Sequence, residues 1–111
     1  MKSKAILIQS EGLGQGDDTL GGLLMANFLR LLGESEKKPS SIILWNAGAR
    51  LACQGSKVIE HLKRLEQQRV EISVCTTCLE YLDLIDQLLV GKPTTMIKSI
   101  ESILDYDIVT L

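Results

Sequence analysis

The sequence predicts a single α/β domain spanning residues 1–111, with a mainly parallel sheet of about five strands and helices on both faces. Two observations predict this class. Short, continuous apolar runs alternate along the chain with longer stretches whose apolar residues recur at helical spacing, as in domains built from strand–helix–strand crossovers. In addition, 111 residues suffice for one hydrophobic core and not for two.

The apolar runs define the expected strands. Lys4–Gln9, Ser41–Asn46 and Val70–Val74 are continuously apolar inside rather than alternating, as strands buried on both faces should be. Asp107–Leu111 predicts a last strand. A further short strand around Lys92–Thr95 is only weakly indicated.

Four segments predict helices: Thr19–Gly33, Ser56–Gln68, Leu79–Leu89 and Thr95–Leu104. The first is preceded by two aspartates at positions 17 and 18, either of which is expected to serve as its N-cap. This helix is also apolar nearly all round, so it needs burial on more than one side. A subunit interface would supply the second surface and predicts a homo-oligomer. The alternative is a broad sheet-facing stripe with a few exposed leucines.

Composition excludes several classes of function. The formal net charge is −2 with both signs interspersed, and aromatic residues make up 4% of the chain, so no nucleic-acid partner is expected. Apolar runs are far too short to predict a membrane span. The basic start Met1–Lys4 leads into only four apolar residues, which favours a first strand over a secretory signal. Three cysteines without an export signal predict a reducing compartment, the cytoplasm.

The residues most indicative of chemistry are Cys75 and Cys78, which form a C-x-x-C run between a predicted strand and a predicted helix. Free N–H groups and the macrodipole at a helix start favour a thiolate, which is the form that attacks sulfur. We expect Cys75 to lie in the loop or at the N-cap just beyond the strand, with its sulfur accessible at the rim, as the nucleophile. We expect Cys78, in the first helical turn, to be the more buried, resolving thiol.

Other side chains are expected to share the edge of the sheet with these thiols. The carboxyl ends of parallel strands meet at one rim, which makes Glu11, Asn46, Arg50 and Cys53 candidate contributors. Arg50 has two interpretations, as an anion ligand that also lowers a thiol pKa or as an ordinary surface arginine. Cys53 is either a small buried hydrophobe or a supporting thiol.

Neither a cofactor nor a metal ion is expected. The glycine-rich segment 11–18 follows a strand and opens a helix, but its spacing is not that of a phosphate-binding loop, and its aspartates would repel phosphate. A structural zinc site takes two close ligand pairs, whereas here only Cys75 and Cys78 form one, and His61, the only histidine, is expected mid-helix and solvated.

Four segments, taken in order, carry a resemblance to a known family. They are ILIQSEGLGQGDDTLGGLLMANFL, ILWNAGARLACQGSKVIEHLKRLE, VEISVCTTCLEYLDL and GKPTTMIKSIESIL. Together they resemble the DsrE-like sulfurtransferase proteins, in particular the C-terminal domain of the YedF-type proteins associated with selenium metabolism. The resemblance implies a flavodoxin-like fold, assembly into dimers, trimers or hexamers, and a persulfide on a strand-end cysteine, which corresponds to Cys75, with Cys78 as the second thiol.

The resemblance also implies a partner. YedF-type proteins carry a separate N-terminal sulfur-carrier domain of the TusA kind, which this sequence lacks, so the carrier is expected as a separate protein or the chain as a stand-alone or excised form. Three functions stay open: transfer of sulfur or selenium through a cysteine persulfide; a non-catalytic module binding a small ligand or a partner; and a dithiol oxidoreductase, ranked lower because the Trp ahead of the motif and the facing Pro are missing.

Overall fold

The computed structural model describes residues 3–111; Met1 and Lys2, in the basic start of the chain, lie outside the described residues. Five strands form one sheet in the order β4-β3-β2-β1-β5, and every pairing is parallel. The strands are β1 (Lys4–Ile8), β2 (Ser41–Leu44), β3 (Glu71–Cys75), β4 (Lys92–Thr94) and β5 (Asp107–Thr110). The predicted α/β class is confirmed, and so is the weakly indicated strand, as β4.

The connections place helices on both faces of this sheet. The helices are α1 (Asp18–Glu34), α2 (Ile59–Gln67), α3 (Thr76–Tyr81) and α4 (Met96–Asp105), with 3₁₀ helices at Asn46–Ala52 and Ile85–Gln87. The first three crossovers all step in the same direction across the sheet, so their right-handedness puts α1, α2 and α3 on one face; the return from β4 to β5 puts α4 on the other.

Two core clusters correspond to these two faces. Side chains such as Ile6 and Ile42 pack with α1 and α2 in a large cluster, whereas Ala5, Leu7 and Ile43 point the other way and meet α4 in a small one. Alternate strand residues therefore fill both cores, which explains why the strands are continuously apolar in sequence.

The helix predicted over Leu79–Leu89 is wrong in length, because α3 already ends at Tyr81. Asp83 adopts a left-handed conformation with φ of 57°, and the amide of Leu84 then donates to the carbonyl of Leu79 at 2.7 Å. This is the hydrogen-bond pattern of a Schellman helix stop. The chain then folds back over the first 3₁₀ helix. There the amide of Leu89 donates to the carbonyl of Ala52, the last residue of that 3₁₀ helix.

The second helix also starts later than predicted, at Ile59 rather than Ser56, and most of the expected loop after β2 is the 3₁₀ helix Asn46–Ala52. This 3₁₀ helix lies directly against the end of β1. A Cβ atom built on Gly48 would stand 2.4 Å from the carbonyl oxygen of Ile8, far inside van der Waals contact. Only glycine permits this approach.

We therefore predict that Gly48→Ala destabilises the fold by about 2 kcal/mol or more, because backbone must shift to admit the methyl group. The matched control is Gly22→Ala, within α1, where a Cβ meets nothing within 4 Å. It should stabilise by roughly 0.5–1 kcal/mol through helix propensity. Urea unfolding followed by circular dichroism measures both; equal effects of the two substitutions would contradict the packing argument.

Candidate functional site

The two thiols of the C-x-x-C run occupy different elements at the carboxyl end of β3. Cys75 is the last strand residue and also the N-cap of α3, and its Sγ accepts a hydrogen bond from the amide of Cys78 at 3.3 Å. The predicted N-cap position of Cys75 is confirmed. At most helix starts a serine or aspartate oxygen accepts this capping hydrogen bond; here the cysteine sulfur accepts it.

The main chain of Asn46 supplies the other hydrogen bond in the site. Its amide donates to Cys78 Sγ at 3.1 Å. Asn46 has a φ of 52°, in the left-handed region that asparagine tolerates better than most residues. This conformation comes directly after β2, as the chain leaves the sheet. Asn46, predicted as a rim contributor, thus reaches the thiols through its backbone.

The expected order of accessibility is wrong. Cys75 is 4% exposed, whereas Cys78 is half-buried and faces a surface cavity. The physical reason is that β3 runs one residue further than the predicted strand, which ended at Val74. Cys75 therefore remains within the sheet, paired in register with Thr94 of β4. The first turn of α3 then carries Cys78 outward rather than inward.

The cavity at Cys78 is open and has a volume of about 270 Å³. Its lining comprises Asn46, Thr77, Cys78, Tyr81 and Leu82. Sequence reasoning did not single out the last two side chains, although the signal was present: residues three and four positions after Cys78 share its face of a helix.

Opposing influences act on the pKa of the Cys78 thiol. Burial raises the pKa of the Cys78 thiol, the hydrogen bond with the Cys75 side chain raises it further, and the amide of Asn46 lowers it; the net shift is upward. The six-residue helix α3 and one main-chain amide do not offset the loss of water around the sulfur.

The remaining predicted rim residues lie elsewhere. Glu11 lines a separate cavity with Ser10 and Asp18. Cys53 is buried and its thiol donates to the carbonyl of Ala49 at 3.3 Å, consistent with its interpretation as a packed hydrophobe. Burial raises the pKa of Cys53, and the charge of Arg50, an exposed residue, partly opposes that. The structure thus brings together Cys75, Cys78 and Asn46, but not Glu11 or Cys53.

Across residues 3–111, no group of three or more His, Cys, Asp or Glu side chains is arranged to hold a metal ion. Within the same range, the helices are too short or too polar to cross a membrane.

Comparison with known proteins identifies the fold. The sequence matches no protein-family model and no curated protein. Among solved structures, the ychN protein of E. coli superposes with a TM-score of 0.75 at 19% identity, covering 100% of both chains. MTH1491 of Methanobacterium thermoautotrophicum gives a TM-score of 0.67 at 17% identity over 97% of each chain. BT1422 of Bacteroides thetaiotaomicron gives 0.64 at 14% identity over 98% of this chain and 95% of that one.

These similarities confirm the flavodoxin-like fold that the DsrE resemblance implies. They do not support the finer assignment to the YedF-type proteins. MTH1491 and BT1422 are described as proteins of unknown function. The fold is therefore established by the comparison, and the function has to be argued from the thiol site itself.

The geometry predicts which thiol reacts first. With a bulky maleimide, Cys78 should be modified well before Cys75, because only Cys78 reaches the open cavity. Its rate should rise with pH to an inflection above that of an ordinary cysteine, because burial raises the pKa of the Cys78 thiol. Cys75→Ala removes a hydrogen bond that raises the Cys78 pKa, so the profile should move to lower pH. Peptide mass mapping of timed reactions measures this.

Cys53→Ser is the matched control and should leave the Cys78 profile unchanged, because Cys53 bonds elsewhere. Earlier modification of Cys75, or a profile that moves to higher pH in Cys75→Ala, would contradict this account of the site.

Proposed function

We propose that the protein is a sulfur relay protein that accepts a sulfur atom as a cysteine persulfide and passes it on. The observation that supports this most directly is the pairing of the two thiols: Cys78 faces an open cavity, and Cys75 lies behind it at the strand end with its Sγ accepting the amide of Cys78 at 3.3 Å. Such a pair can take up sulfur on the exposed thiol, from which an acceptor or the protected thiol can displace it. Cys75 and Cys78 are the proposed reactive residues.

In the first step the Cys78 thiolate attacks the outer sulfur of a donor persulfide. A new S–S bond forms on Cys78, the S–S bond of the donor breaks, and the donor leaves as a thiolate, so that no net oxidation occurs. The amide of Asn46, 3.1 Å from Cys78 Sγ, favours the anionic form that attacks. The role of nucleophile thus moves from Cys75, where the sequence placed it, to the thiol that a donor can reach.

Two routes then lead onward. An acceptor thiolate attacks the outer sulfur of the Cys78 persulfide and leaves with it, which regenerates Cys78. Alternatively, the Cys75 thiolate attacks Cys78 Sγ, forms a Cys75–Cys78 disulfide and expels hydrosulfide; a dithiol reductant must then restore the pair. The same displacements operate on a selenium atom carried by a donor thiol. The dependence on reduced thiols fits a reducing compartment such as the cytoplasm.

A carrier protein of the TusA kind is the proposed donor or acceptor, following the YedF-type resemblance. Two other functions make distinct predictions. A non-catalytic module would take up no sulfur at either thiol. A dithiol oxidoreductase would exchange disulfides with substrates but would retain no added sulfur.

Loading by a cysteine desulfurase supplied with cysteine tests the proposal. Intact mass should show one added sulfur atom on the wild type, none on Cys78→Ser, and a stable added sulfur on Cys75→Ser, which cannot form the disulfide. Cys53→Ser is the matched control and should behave as the wild type. Loading that survives in Cys78→Ser and disappears in Cys75→Ser would return the nucleophile to Cys75. No loading in any variant would contradict sulfur relay from this donor.

The proposal includes self-association. Helix α1 leaves Leu20, Leu23, Leu24 and Leu31 exposed although it packs on the sheet, and Leu23 is 60% exposed. On the opposite face of the sheet, α4 leaves Ile97 at 72% exposure. Exposed apolar side chains on successive turns of one helix are typical of surfaces that contact another protein chain. They support the homo-oligomer, a dimer, trimer or hexamer, that the α1 pattern and the family resemblance predict.

We predict that Leu23→Glu lowers the mass of the particle in solution toward that of one chain, because a charge replaces apolar contact area on α1. Light scattering at micromolar concentration measures the mass. Gln67→Glu is the matched control, since it adds the same charge at an exposed polar position of α2, away from the apolar face of α1, and should leave assembly intact. A wild type with the mass of a single chain would contradict self-association.

A further inference from the structure

The surface beside Cys78 combines exposed apolar side chains with an uneven distribution of charge. Tyr81, which lines the thiol cavity, is 88% exposed, and the segment that follows it leaves Ile85 and Leu89 exposed as well. A tyrosine this exposed next to a reactive group contributes nothing to the core. Tyrosine is among the side chains that contribute most when they are buried in a protein contact.

The charges of this segment are all of one sign. Between Val70 and Gly91 the sequence contains four carboxylates and no lysine or arginine. Three of these carboxylates are exposed: Glu80 on α3, Asp83 in the turn after it and Asp86 on the second 3₁₀ helix. Within the described residues none of the three forms an ion pair. The first 3₁₀ helix, Asn46–Ala52, packs beside α3 and contributes one basic residue, Arg50.

We propose that Glu80, Asp83 and Asp86, together with Tyr81, form the docking surface for a partner protein that presents its cysteine from a basic, partly apolar surface. The proposal rests on the sulfur relay function and names the chemistry of its partner. Charge complementarity supports this occupant over an acidic one, because acidic rims attract basic partners and repel acidic ones. The cavity at Cys78, about 270 Å³, admits a side chain, and Tyr81 in its lining stays exposed for contact with the partner.

The chemistry of Cys78 gives a basic partner a second effect. In the free chain, burial and the neighbouring thiol raise the pKa of Cys78. A lysine or arginine brought beside the cavity favours the thiolate through its positive charge. Docking of a basic surface would thus activate the sulfur at the moment when a donor is present, and an unoccupied protein would stay less reactive.

Charged thiol reagents test the surface without knowledge of the partner. Cys78 should react several-fold faster with a trimethylammonium methanethiosulfonate than with its sulfonate counterpart at low ionic strength, after each rate is divided by that for free cysteine. In E80Q/D83N/D86N this ratio should fall toward one. The matched control is E34Q/E36Q/E101Q, which removes the same charge from exposed positions outside this segment and should keep the wild-type ratio.

Cysteine peptides test the docking itself. Mixed-disulfide formation with an activated cysteine peptide flanked by lysines and leucines should be faster than with its glutamate counterpart, and Tyr81→Ala should slow the lysine peptide without slowing the small reagents. Equal rates for both peptides, or equal reagent ratios in the two triple variants, would overturn the proposal. So would a change of particle mass in E80Q/D83N/D86N, since it would show that other copies of the chain cover this surface.

The reagent and peptide measurements are independent of the persulfide-loading test of sulfur relay. Mixed-disulfide exchange needs only a reactive thiol, so the charge preference is observable even if no persulfide forms. Conversely, persulfide loading without any charge preference would leave the relay intact and overturn the docking surface.

Discussion

The site depends on the sharp exit of the chain from β2. The amide of Trp45 donates to the carbonyl of Ile8 at 3.0 Å, and Gly48 packs so close to the same carbonyl that no side chain fits between them. Between these two contacts, Asn46 turns into the left-handed region and aims its amide at Cys78. The end of β1 thereby positions a hydrogen-bond donor for a sulfur on the far side of β2. Rigid strands, rather than the loop itself, determine the geometry of the thiols.

The two sulfurs lie in series rather than side by side. Cys75 belongs to the sheet and caps α3, and Cys78 lies one turn later at the cavity. A sulfur atom that arrives at Cys78 meets solvent and partner first, and the sheet-bound thiol afterwards. This order suits a relay, because it separates the surface that exchanges sulfur from the thiol that completes release.

Much of this architecture follows from the sequence because it rests on local rules. Continuous apolar runs specified the buried parallel strands, and Asp17 indeed caps α1, accepting from the amide of Leu20 at 2.8 Å. The rim was predicted from strand polarity alone, and it does hold Asn46 beside Cys78.

The failures come from tertiary contacts that periodicity does not encode. The leucines after Tyr81 keep helical spacing, but Asp83 stops the helix, and the chain gains main-chain bonds to the first 3₁₀ helix instead. The order of exposure of the thiols depended on whether β3 ended at Val74 or one residue later, a difference that strand propensity does not resolve.

The capping role of Cys75 ties the redox state of the pair to the order of α3. The reduced sulfur accepts the amide of Cys78, and Cys78 in turn accepts the amide of Asn46. A disulfide is a poorer acceptor than the thiolate of either cysteine, so oxidation of the ionised pair weakens the start of α3 and the left-handed turn together. The coupling is reciprocal: a molecule that binds and orders α3 favours the dithiol, and one that frays it favours the disulfide. The short helix thus reports the oxidation state of the pair as a change in its own stability.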